Sequence, residues 1–178
     1  RGKEDTIEKR VLYLDKRVLN NPAVAMDLAT KELSRMASLA REMMASANKA
    51  FTASDIDEAG KVHELEEVVD MLQYEIVNYL STMLSQGTLT DRQSIRLAGL
   101  MHVSGDIERI GDHCENIAEF AELRQEEGIH FSDEALKEIS EAFEKLNEIV
   151  DDSIQALHDG NLALAKKVIE RESEVDEL

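Results

Sequence analysis

The 178 residues are 43% hydrophobic, 4% aromatic and 33% charged, with one proline, one cysteine, no tryptophan and a formal net charge of −18. That surface repels nucleic-acid phosphates and anionic lipid and favours cations or basic protein surfaces. A single Cys114 excludes an intrachain disulfide or a multi-cysteine zinc site.

Ala, Leu, Met, Glu and Lys dominate, which predicts an all-α bundle. No run approaches the roughly 18 apolar residues of a membrane span, and no signal peptide is visible. The abrupt Arg1 and the closing "EVDEL" read like cuts in a longer polypeptide.

The opening residues 1–21 are expected to form a linker helix, because Ile7, Val11, Leu14 and Val18 recur at helical spacing. Asn20-Asn21-Pro22 breaks it, and Pro22 suits a first helical turn. A helix is predicted from Ala23 to about Phe51, with Leu28, Met36, Leu39, Met43 and Ala47 on its buried stripe. Val24, Ala29, Leu33 and Ala40 widen that stripe.

Ser54 is expected to cap a second helix, with Asp57 as its capping-box partner. The core face of this helix runs from Ile56 through Val62, Leu65, Val69, Leu72, Ile76, Tyr79, Leu80 and Met83, and Gly87 ends it. Thr90, with Gln93, caps a third helix to about Glu126. After Gly128, Ser132 caps a fourth helix to about Leu157, and a fifth begins near Leu162 beyond the turn at Asp159-Gly160-Asn161.

A shift of 106 residues lays the second half on the first. "SDIDEAGKVHELEEVVDML" meets "GNLALAKKVIERESEVDEL", aligning Lys61-Val62 with Lys167-Val168, Glu64 with Glu170, Glu66 with Glu172, Val69-Asp70 with Val175-Asp176 and Leu72 with Leu178. Identical polar residues at one offset point to duplication. The first unit then has three helices over 22–127, and a partial second unit, 128–178, has two. Its last helix must expose apolar surface unless something covers it.

The densest motif is "GDIERIGDHCENIAEF". On a helical wheel Glu108, Asp112, Glu115 and Glu119 form one file, opposite a broad face of Ile107, Ile110, Cys114, Ile117, Ala118 and Ala121. Carboxylates one turn apart repel each other, yet they can chelate or bridge cations. Glu108 and Asp112 are the leading pair, with Asn116 able to add a carbonyl oxygen and His113 a ring nitrogen. The spacing by itself leaves two readings open, a cation site and a solvated acidic face. Glu66, Glu67 and Asp70 form a second acidic patch with His63 beside it. Cys114 reads as a small core residue, and no nucleophile arrangement or glycine-rich phosphate cradle is visible, so no enzyme is expected.

Glu108-Arg109-Ile110-Gly111-Asp112 followed by Asn116-Ile117-Ala118-Glu119 resembles the signature of the PhoU family, regulators of phosphate uptake. The resemblance implies tandem three-helix bundles, here with the second incomplete. It implies a divalent or trivalent metal ion such as iron or zinc, with Glu108 and Asp112 as ligands and Asn116 and Glu119 in support.

"YLDKRVLNNPAVAM" resembles the linker of bacterial type-II-like sodium/phosphate cotransporters. That implies a regulatory domain on the cytoplasmic side of the inner membrane, as part of a membrane protein. Its partner would be the transporter's membrane domain in cis, and homo-oligomers are a further option. The alternatives are a free-standing PhoU-type regulator of a phosphate ABC transporter and sensor kinase, or a helical interaction module without metal.

Overall fold

The computed structural model describes residues 7–175 except Thr88, with the backbone alone for 172–175. The chain is all-α. Among the described residues a 3-10 turn, Lys16–Val18, precedes five helices: α1 (Pro22–Ala53), α2 (Ile56–Ser85), α3 (Asp91–Glu126), α4 (Asp133–Asp159) and α5 (Leu162–Val175). α1, α2 and α3 pack mutually as a three-helix bundle; α4 lies on the outer side of α1, and α5 packs on α4 as the second helix of an incomplete second bundle.

The helix ends follow local chemistry. Pro22 opens α1 behind Asn21, whose side chain accepts from the Val24 N–H. Thr90 and Gln93 form the expected capping box, and Ser132 accepts from the Ala135 N–H. The start of α2 differs from expectation. Ser54 sits at φ 54 as the left-handed C-cap of α1, and Asp55 caps α2 by accepting from the N–H groups of Asp57 and Glu58. A carboxylate is at least as good an acceptor there as a hydroxyl, and it complements the positive helix end.

The core is built from small and flexible side chains. Met26, Leu33, Met36 and Met43 of α1 meet Leu65, Leu72, Ile76, Leu80 and Met83 of α2 and Leu97 of α3, all fully buried. α1 contacts three helices, so its buried surface exceeds one stripe: Ala25, Met26 and Met44 are buried too. Val24 and Ile56, placed on the core by periodicity, stand at helix starts and are exposed.

Among the described residues of the N-terminal segment there is no α-helix, only the 3-10 turn at Lys16–Val18. Tertiary hydrogen bonds take up the backbone groups a helix would have paired. The fully buried Glu32 carboxylate accepts from the N–H groups of Leu12 (2.9 Å) and Tyr13 (2.6 Å). Arg35, paired with Glu32 at 2.7 Å, donates to the carbonyls of Glu8 and Arg10, and the Tyr79 hydroxyl donates to the carbonyl of Asp15. Ile7, Val11, Leu14 and Val18 still pack on the core, as their apolar character requires.

α4 is tied to α1 by a two-point Arg41–Asp151 pair at 2.9 and 3.2 Å, and by Leu146, Val150, Ile154 and Leu157 against the main core. Between these helices and α3 and α5 runs an apolar groove of about 390 Å³, with Ile107, Val150, Ile154 and Val168 on its walls. Leu162 and Ile169 of α5 are 78% and 67% exposed, which is the uncovered apolar surface expected of a two-helix second unit. The repeat matches at Asp176 and Leu178 lie outside the described residues, as does the side chain of Glu172.

Candidate metal centre between α2 and α3

In the acidic file of α3, Glu108 and Glu115 are half-buried, while Asp112 and Glu119 are exposed. α2 runs beside this file and presents Asp70, Glu66 and His63 on successive turns. Glu66, Asp70 and Asp112 each place a carboxylate oxygen within 4.8 Å of the others. Glu66 and Asp70 of the second acidic patch thus join Asp112 of the α3 file in one cluster, while Glu67 stays outside it, paired with Lys9 at 3.0 Å.

The electrostatics record the crowding. Burial, a hydrogen bond shared with Asp70, and the charges of Asp70, Glu115 and Asp112 push the Glu66 carboxyl up to about 7. Glu108 is raised as well, by burial first and then by Asp112 and Asp70, while Arg109 acts the other way. Five carboxylates, Glu66, Asp70, Glu108, Asp112 and Glu115, therefore bear on one another here. A proton shared at Glu66 relieves their repulsion, and a bound cation would do so more completely. The donor set is all oxygen and only partly buried, which fits a hard cation with room for water.

The remaining sequence candidates take other roles. Glu115 meets Nδ1 of His63 at 3.3 Å, and Glu122 meets Nε2 of the same ring at 3.4 Å, so His63 bridges α2 to α3. Asn116 turns its amide back to the carbonyl of Asp112 at 2.9 Å. His113 and Glu119 are exposed and stand outside the three-carboxylate group.

Behind the acidic face, Gly111 is buried, and Val69 Cγ1 lies 3.4 Å from where a Cβ would stand. Cys114 is buried, and burial pushes its thiol up to about 12, so it serves as core. The partnership of Glu66 and Asp70 with Asp112 was missed because they lie 42 or more residues from it. The one available signal was that both patches sit on long amphipathic helices.

The PhoU domain family matches over residues 33–121 and 139–178. Curated relatives include a "Phosphate-specific transport system accessory protein PhoU homolog" of Aquifex aeolicus, 31% identical over 84% of this chain and 66% of its own length. The homolog from Clostridium acetobutylicum is 27% identical over 83% of this chain and 66% of its own. "PhoU homolog 1" of Thermotoga maritima is 28% identical over 86% and 65%. The chain spans just under two thirds of the length of these relatives. No solved structure matches it.

These relatives are accessory proteins by name, which corrects the expectation of a sodium/phosphate cotransporter domain and of a place in the inner membrane as part of a membrane protein. The linker-like stretch behind that expectation instead serves the bundle, through Tyr13 on Glu32 and Asp15 on Tyr79. No described helix is long and apolar enough to cross a membrane. The printed names describe accessory proteins of a phosphate-specific transport system, and none of them names an enzymatic activity. With the family match covering more than half of the chain and following the two-bundle helix order, the chain belongs to the PhoU family.

Proposed function

We propose that this chain is a regulatory accessory module of a phosphate-specific transport system, and that it holds a metal ion between α2 and α3. The observation that supports this most is the convergence of Glu66, Asp70 and Asp112 to within 4.8 Å, with Glu108 beside them. The ion would supply positive charge that ties the two helices together at a point where their own carboxylates repel. An all-oxygen donor set would favour a hard cation, such as ferric iron, over zinc. Glu108, Asp112, Glu66 and Asp70 are the proposed ligands, and Glu115, Asn116, Glu119 and His113 flank them.

The regulatory reading rests on the family and on the relatives' names, and it corresponds to a PhoU-type regulator of a phosphate ABC transporter. Elemental analysis of chain purified without chelator tests the metal. Near-stoichiometric metal in the native chain, lost in Asp70→Asn/Asp112→Asn, supports it; no metal in either overturns it. Phosphate uptake in cells bearing each form tests the regulation separately, and unchanged uptake with the metal lost would separate the two halves of the reading.

A further inference from the structure

One end of the first bundle carries an aromatic cluster that the metal centre does not use. Three of the four phenylalanines of the chain meet there. Phe51 of α1 lies 6.4 Å from Phe120 of α3 and 5.5 Å from Phe131 of the link to α4, between ring centroids. Arg124 stands over Phe51 and Phe131 at 5.5 and 5.1 Å, donates to the carbonyls of Phe51 and Ile129, and is 7% exposed. Its charge is used inside the cluster and offers nothing outward.

The outer side of the cluster remains in water. Phe120 is 53% exposed, Leu123 42%, Ile129 40% and Phe131 36%. Phe120 and Leu123 sit 60° apart on the α3 wheel, and Glu127 falls between them, with Glu126 beside Leu123. Asp133 and Glu134 follow Phe131, and from Gln125 to Leu136 the only basic side chain is His130. An apolar aromatic patch inside an anionic rim marks an interaction surface.

Its charge selects the occupant. A second copy of this chain, also at −18, a nucleic acid or an anionic membrane would meet repulsion. We propose that this end is a docking surface for a basic amphipathic segment of another protein, with aliphatic side chains on Phe120, Leu123 and Phe131 and lysines or arginines on Glu126, Glu127 and Asp133. The patch lies about 12 Å along α3 from Asp112, at 1.5 Å per residue. It does not depend on the metal reading.

Calorimetric titration of the full chain with an amphipathic helical Leu/Lys peptide tests it, beside a control peptide with every Leu replaced by Ser. Phe120→Ser and, independently, Leu123→Ser should each weaken the Leu/Lys peptide about tenfold. Both residues are more than 40% exposed, so circular dichroism should show retained fold. Ile95→Ser, at a 74% exposed position elsewhere on α3, should leave binding unchanged, and Glu127→Lys should reduce both binding and its salt dependence.

Binding that ignores Phe120 and Leu123, or that falls equally in Ile95→Ser, overturns the proposal. So does sedimentation showing a dimer that Phe120→Ser dissolves, since a second copy would then be the occupant. Phe120-dependent binding to phosphatidylglycerol vesicles likewise overturns it in favour of a lipid surface.

Discussion

Single residues on α2 and α3 carry two opposite tasks. On one side the buried Gly111 and Cys114 face the core, Gly111 beside Met43 and Val69; on the other Glu66, Glu108 and Asp112 crowd charge. Glu66 titrates near 7 in the folded chain against an ordinary value of 4.5. The folded state therefore binds more protons than the unfolded state between these values, and stability falls as pH rises through the window. Glu66→Gln should raise the melting temperature of the metal-free chain by a few degrees at pH 8 and have little effect near pH 4, which thermal melts across pH would show. Gly111→Ala should be tolerated or stabilise by about 0.5 kcal/mol, because its methyl meets Val69 at ordinary contact distance while the helix gains propensity. A destabilised variant in denaturant titration would disprove that. The acidic residues of α3 were legible from their spacing, whereas the fate of Asn116, turned onto the Asp112 carbonyl, was not: a mid-helix amide can either bond back to the carbonyl four residues earlier or chelate.

Among the elements, the N-terminal segment shows how a local preference yields to tertiary partners. Its apolar spacing is helical, yet Glu32 and Arg35 take the backbone groups of Glu8, Arg10, Leu12 and Tyr13. A buried carboxylate with two amide donors and a guanidinium is strongly coupled to all of them. Glu32→Ala should cost about 3 kcal/mol and open the segment to trypsin at Lys9 and Arg10; denaturant melts and timed proteolysis check both. Unchanged cleavage would show that apolar contacts alone hold the segment. The cap of α2 teaches a smaller lesson: Ser54 and Asp55 are both good caps by type, and only the left-handed turn at Ser54 assigns the role to Asp55.

At the scale of the whole molecule, the charge of −18 sets the balance. Its ion pairs are mostly exposed and contribute little individually, so net repulsion should dominate the salt response. Raising ionic strength from about 0.01 to 0.15 M shortens the Debye length from about 30 to 8 Å, and the melting temperature of the metal-free chain should rise. A fall on adding salt would mean that the ion pairs outweigh the repulsion. The groove between α3, α4 and α5 belongs to this scale too, since it exists only because α4 docks on α1 through Arg41 and Asp151 while α5 rests on α4.

By itself the sequence determined the five helices of the described residues, most of their core faces though not Val24 and Ile56 at the helix starts, the capping of α3 and α4, the two-unit order and the file from Glu108 to Glu119. Each of these is written in periodicity or in contacts within a few residues along the chain. Only the tertiary structure decided that Glu66 and Asp70 face Asp112, that His63 bridges Glu115 and Glu122, and that residues 8–13 lie on Glu32 and Arg35 in place of forming a helix. These contacts join residues distant in the chain, and the rotation of α2 against α3, which no single helix encodes, selects which side chains meet.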